Sequence, residues 1–390
     1  MEQYTKPETS LIHLGEKPST GRCFVNPPVQ RGSTVVFPSV AELTANEDVF
    51  QVHRYGRQGT PTNRAFEHAI CQLEGGYRTF STSSGLTAIT FVLTAFTKAG
   101  SHLLVTDNSY GPTREYCSQV LARFGVDVEF FDPRLGARIA ELFRPNTALL
   151  FMESPGSYSF EMTDIPAMAG AARAAGIPTA VDNTWATPLF FRPLEHGADI
   201  SIHSATKYIM GHADGMMGVV TVNREHEPRL NEEAYLTGTI ASPDDAYLGL
   251  RGLRTLAARL ACHQMNALAL TTWLETRPEM DQVLYPALPS SPDHEIWKRD
   301  YSGASGLFGV VLKPMQPASV AAAVDAMKLF AMGFSWGGFE SLIVPMVRAG
   351  RRSATPWPGP GTVIRFHAGL ENVDDLKADL EQAFAHLKAS

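Results

Sequence analysis

Lys207 closes the tetrad Ser204-Ala205-Thr206-Lys207, one residue after the run at residues 198–202. That run reads as a short buried strand, so the two hydroxyls and the amine fall where strand gives way to loop, the usual place for ligands in a parallel α/β sheet. A lysine there is a candidate nucleophile. Its amine condenses with a carbonyl if its surroundings keep it partly deprotonated, and the adjacent hydroxyls suit a phosphate. A solvated turn would have the same composition. The second feature is Asp182, at the end of another short apolar run, residues 178–181. A buried carboxylate at that edge needs a cationic partner or a hydrogen-bond donor.

Pyridoxal phosphate (PLP) offers a handle to each group: an aldehyde for Lys207, a protonated ring nitrogen for Asp182, and a phosphate for hydroxyls, backbone N–H groups and arginine. Ser83-Ser84-Gly85 precede an apolar helical run. The Gly85 and Leu86 N–H groups are therefore phosphate candidates, although a plain helix cap explains the same residues. Tyr55 and Arg57 stand two apart. In an extended segment both project to one side, and the guanidinium fork suits phosphate, with a surface loop as the alternative. Tyr110 follows the strand expected at residues 103–106 and could stack on a planar ring or line the core rim. Arg365 is a lone arginine in an apolar strand, residues 363–367, where a substrate carboxylate or a structural ion pair would serve it. The stretch Ser335-Trp336-Gly337-Gly338 lets backbone approach a ligand closely while Trp336 fills a pocket wall.

Between residues 62 and 222 short apolar runs alternate with helical patterns, which implies a mostly parallel sheet wrapped by helices. Residues 1–58 lack a clear period and read as an arm packing on a neighbouring domain or subunit. The cofactor-binding domain is expected at 59–242. A smaller C-terminal α/β domain is expected at 243–390, opening with one long helix from Ser242 to Thr276.

Composition bounds the function. The 390 residues carry a formal net charge of −7 and no basic run, which argues against a nucleic-acid binder. Cys23, Cys71, Cys117 and Cys262 are scattered without metal-ligand or redox spacing, so no metal site is expected and the thiols suit a reducing cytoplasm. Nowhere do eighteen apolar residues run together, so no membrane span is expected.

Taken in order, YGRQGTPT, SSGL, DNSYGP, ESPGS, VDNTWATP, HSATKYIMGH, SWGGFESL and IRFHAGLE resemble the transsulfuration family of PLP-dependent enzymes across nearly the whole chain. The resemblance implies fold type I (aminotransferase-like), with a large seven-stranded-type sheet domain, and a homotetramer built as a dimer of dimers. It implies that Lys207 holds the cofactor and moves protons, that Asp182 pairs with the ring nitrogen, and that Tyr110 stacks on the ring. Tyr55 and Tyr110 join Lys207 as catalytic residues. Gly85, Leu86, Ser204 and Thr206 would hold the phosphate together with Tyr55 and Arg57 of a neighbouring subunit, while Arg365, Ser335 and Trp336 would bind substrate. Gly156-Ser157 after Pro155, and Trp336 after Ser335, resemble the β-acting branch, which implies cleavage of L-cystathionine to L-homocysteine, pyruvate and ammonia, with cysteine or cystine as side substrates. A γ-acting relative is the alternative. A non-catalytic binding protein on this fold would not need Lys207, Asp182, Tyr110 and Arg365 together.

Overall fold

The computed structural model describes residues 6–15, 24–45, 53–346, 352–357 and 361–389. Cys23 and parts of the expected N-terminal arm lie outside the described residues.

Seven strands form the larger sheet: β1 (Arg78–Thr82), β2 (His102–Thr106), β3 (Asp127–Phe131), β4 (Thr147–Glu153), β5 (Thr179–Asp182), β6 (Ile200–His203) and β7 (Gly218–Val222). Their order is β1-β7-β6-β5-β4-β2-β3. Strands β2 to β6 pair in parallel, and β7 runs antiparallel between β6 and β1. Every residue of β2 and β5 is buried. This is why they read as continuous apolar runs rather than alternating ones: helices cover both faces of the parallel strands. The register places Glu153 beside Asp182 at the C-terminal edge, with β6 ending alongside at His203.

The smaller sheet contains β8 (Met280–Leu284), β9 (Leu307–Leu312), β10 (Ala331–Met332), β11 (Leu342–Met346) and β12 (Val363–His367). Its order is β10-β11-β12-β9-β8, antiparallel except at β10–β11. One apolar cluster spans both sheets, taking Leu150 and Val181 from the first and Val310 and Phe366 from the second. Trp185, three residues past Asp182, donates its indole N–H to the Leu307 carbonyl at 2.9 Å. The end of β5 is thereby tied to the sheet that carries Arg365.

Two local expectations change. The long helix after Ser242 is two helices, Pro243–Leu253 and Leu256–Leu274. The Gly252 carbonyl is taken by the Thr255 N–H at 3.1 Å and the Arg259 guanidinium at 2.8 Å, so the ladder is interrupted there. The same arginine donates to the Tyr208 carbonyl at 2.7 Å, which anchors the residue after Lys207. Tyr55 is extended but Arg57 lies in the 3₁₀ turn Gly56–Gln58, so the two do not share one side of a strand. Strands β1 and β11 and the helix Glu227–Thr237 carry too little apolar periodicity to stand out in sequence, and tertiary pairing defines them.

Candidate active site

Lys207 follows β6 and reaches the smaller sheet's side of the cleft. Its Nζ donates to the Ser335 hydroxyl and lies 5.3 Å from the centre of the Trp336 ring. Burial, reinforced by the Arg365 guanidinium and opposed by Asp182, brings the amine down from 10.5 to about 8. Near neutral pH such an amine spends an appreciable fraction of its time unprotonated, unlike a surface lysine.

Arg365 is buried in the centre of β12 and donates to the Ser335 carbonyl at 2.9 Å. Among the described residues no carboxylate pairs with it. Its guanidinium instead sits 5.3 Å from the Tyr158 ring centre and retains N–H groups for a planar anion. Ser335 itself has φ +76°, a conformation costing roughly 1–3 kcal/mol in a non-glycine residue. That strain turns both its hydroxyl and its carbonyl to neighbouring cations. Gly337, also at positive φ, lies so close to the lysine segment that a Cβ would come within 2.9 Å of the Lys207 carbonyl carbon. Only glycine meets both demands.

Asp182 is 7% exposed, and both hydrogen bonds to its carboxylate go to Oδ1, from the Thr184 N–H (3.0 Å) and hydroxyl (2.5 Å). Burial raises its pKa, while Thr184, His203 and Lys207 pull the other way. A carboxylate so placed is stabilised by a cation at its remaining oxygen. Glu153, beside it in register, is pushed well above the usual carboxylate range by burial and by Asp182. It accepts the Tyr110 N–H at 2.6 Å and so holds the start of the Tyr110 turn over the strand ends. The Tyr110 phenol is raised by burial and by nearby Tyr158.

The helix Gly85–Phe96 points its N-terminus at this edge. Ser84 caps it by accepting the Thr87 N–H at 3.1 Å, leaving the first-turn N–H groups of Gly85 and Leu86 without intrahelical acceptors. A Cβ on Gly85 would fall 2.4 Å from the Ser204 hydroxyl, so helix start and Ser204 form one tight cradle. The Thr206 hydroxyl is differently engaged, donating to the Met217 carbonyl at 3.2 Å and accepting its N–H at 2.9 Å. Tyr55 and Arg57 stand apart from this group: Arg57 donates to the Tyr235 carbonyl at 2.8 Å and packs on the Tyr235 ring.

The donor set fits PLP. It provides a depressed lysine, a buried acid with one oxygen lacking a hydrogen bond, and a cradle of helix N–H groups and a hydroxyl for a dianion. Glu153 and Tyr158 also belong to the cleft, although sequence reasoning did not single them out, and Gly337 makes the close backbone approach expected of the paired glycines. Glu153 had a signal, since it ends an apolar run as Asp182 does. Tyr158 had none.

The comparisons agree with this geometry. The Escherichia coli (strain K12) protein named cystathionine beta-lyase MetC is 41% identical over 395 residues, covering 98% of this chain and 99% of its own length. The Salmonella typhimurium protein named cystathionine beta-lyase is also 41% identical, covering 97% of this chain and 98% of its own. The crystal structure of metB from Corynebacterium glutamicum superposes with a TM-score of 0.89 at 31% identity, covering 98% of both chains. Residues 8–385 match the model of the Cys/Met metabolism PLP-dependent enzymes, and the chain belongs to that family.

Proposed function

We propose that the protein is a PLP-dependent carbon–sulfur β-lyase that cleaves L-cystathionine to L-homocysteine, pyruvate and ammonia. The observation that carries this reading is the Lys207–Ser335–Arg365 contact, which sets a depressed amine beside a guanidinium that has no carboxylate partner among the described residues. Two relatives named for this activity support the choice of substrate.

Lys207 and Asp182 would hold the cofactor with Tyr110, and Gly85, Leu86, Ser204 and Thr206 would take its phosphate, Thr206 after giving up its bond to Met217. When bound, PLP withdraws electrons from the substrate Cα, and Asp182 strengthens that pull by keeping the ring nitrogen protonated. Arg365 binds the substrate α-carboxylate through its free N–H groups. This turns the Cα hydrogen towards Lys207. The Lys207 amine takes that proton, and Ser335 steadies the amine through its hydroxyl. As the electron pair moves, the Cβ–S bond breaks and sulfur leaves as the thiolate, which is protonated to homocysteine. The three-carbon remainder takes up one water and departs as pyruvate and ammonia. Trp336 lines the pocket beside Lys207 and keeps bulk water from the amine.

The site is completed across a homotetramer, a dimer of dimers, in which the arm at residues 1–58 delivers Tyr55 and Arg57 to a neighbour's phosphate. The engagement of Arg57 with Tyr235, away from Lys207, supports that placement. Residues 59–242 then act as the cofactor domain and 243–390 as the C-terminal domain. No helix among the described residues is long and apolar enough to cross a membrane, and the free thiols Cys71, Cys117 and Cys262 suit a cytoplasmic setting.

Incubation of the purified holoenzyme with L-cystathionine should yield pyruvate and homocysteine in equal amounts. Release of 2-oxobutyrate and cysteine would instead identify a γ-acting enzyme and overturn the β-assignment.

A further inference from the structure

His367 ends β12, two residues beyond Arg365, and is fully enclosed. Its two ring nitrogens are both committed. Nε2 lies 3.1 Å from the Gly337 backbone nitrogen, whose N–H it accepts, and Nδ1 lies 3.1 Å from the Glu340 carbonyl, to which it must donate. A carbonyl cannot donate and an amide N–H cannot accept, so this pair of contacts requires the neutral ring with its hydrogen on Nδ1. Burial, His263 and the nearby cations Arg365 and Lys207 all hold the ring in that neutral form. The ring is wedged between Tyr208 (5.9 Å) and His263 (5.1 Å), so it has little freedom to turn.

The contacts it makes fall on the segment that matters. Residues 335–337 carry two positive-φ positions, Ser335 and Gly337, and the turn presses against the Lys207 backbone. An unsupported turn of that kind relaxes towards ordinary backbone angles. Relaxation would withdraw the Ser335 hydroxyl from Lys207 and its carbonyl from Arg365.

We propose that His367 is a positioning residue of the substrate-carboxylate site. By accepting the Gly337 N–H it clamps the Ser335–Gly337 turn, and through that turn it sets the orientation of Arg365 and of the Lys207 amine. The inference rests on the reading of Arg365 as the carboxylate ligand, and it explains why an imidazole stands near two cations: the turn needs a neutral acceptor at that spot, and a protonated ring would point N–H at N–H.

Two replacements separate the nitrogens. In His367→Gln the side-chain oxygen reaches the place of Nε2 and restores the acceptor for Gly337. In His367→Asn the amide reaches only the place of Nδ1, keeping the bond to Glu340 and losing the clamp. Binding of glycine, which has no β-leaving group, is followed by its change in cofactor absorbance, alongside KM and kcat for cystathionine and cofactor content. His367→Asn should weaken glycine binding and raise KM by about tenfold or more, with kcat falling less than KM rises and cofactor content unchanged. His367→Gln should recover most of that loss. Glycine affinity in His367→Asn equal to wild type overturns the proposal, and so does a His367→Gln enzyme as weak as His367→Asn. A general packing role predicts that second result, with both variants melting early. The glycine measurement does not depend on which bond is cleaved, so a wrong β-lyase assignment, detected by the identity of the keto acid, leaves this test intact.

Discussion

Lys207 draws its reactivity from where it is buried. A surface lysine holds its proton to about 10.4, whereas enclosure beside Arg365 brings this amine to about 8. Asp182 pulls in the opposite direction and keeps the shift from being larger. Among the lysines of the described residues it alone follows β6 at the cleft. Replacement by alanine is expected to abolish turnover and to leave any retained cofactor non-covalent. Borohydride reduction of the wild-type holoenzyme followed by peptide mapping should find the label on Lys207; a label on another lysine would remove it from the mechanism. Arg365 illustrates the complementary point. Its sequence context allowed either an ion pair or a ligand site, and among the described residues it meets the Ser335 carbonyl and the Tyr158 ring and no acid.

Among elements, the loop after β2 is fastened to the segment 352–357 by one carboxylate. Asp107 accepts the N–H groups of Ser353 (3.0 Å), Ala354 (3.0 Å) and Thr355 (2.9 Å), and pairs with Arg114 at 2.8 Å. Arg352 joins it and also reaches Glu161 at 2.8 Å. Although burial opposes ionisation, these donors bring the Asp107 carboxyl from 3.8 down to about 2. Because the folded value lies below the unfolded one, this carboxylate contributes stability that is complete above about pH 4 and fades as pH falls from 3.8 towards 2. Asp107→Asn should therefore lower Tm at pH 7, and the gap from wild type should close as the medium is acidified through that window. A gap that stays constant down to pH 2.5 would show that the loss comes from packing rather than charge. The clasp also bears on the site, since Tyr110 lies three residues beyond Asp107 and Glu153 holds its N–H.

For the molecule as a whole, the cleft within one chain lacks the two groups expected to complete the phosphate site. Tyr55 is 45% exposed, and Arg57 rests on the Glu227–Thr237 helix through Tyr235. If a neighbouring subunit supplies them, mixing Arg57→Ala subunits with Lys207→Ala subunits creates hybrid dimers in which one of the two sites is intact. Activity should then reappear from two inactive parents. Hybrids that form, as checked by mass, yet stay inactive would mean that each site is built from one chain.

Much of this enzyme was legible in its sequence because the chemistry sits at strand ends. Parallel strands buried on both faces read as apolar runs, and the polar residues at or just past their ends, Asp182 and Lys207, stand out against that background. The cofactor, the fold class and the family follow from those residues and the motifs around them. Folding alone decided which groups touch. Ser335 and Lys207 are 128 residues apart, and only the strained turn at residues 335–337 joins them. The break after Leu253 arises from the Arg259 guanidinium taking a helix carbonyl, which no periodicity announces. Glu153, Tyr158 and His367 acquire their places the same way, through pairing register, a positive-φ turn and a backbone N–H held across the cleft. Local pattern reports which residues are buried; which partner each buried polar atom finds depends on contacts distant in the chain, and those exist only once both sheets have closed on their shared core.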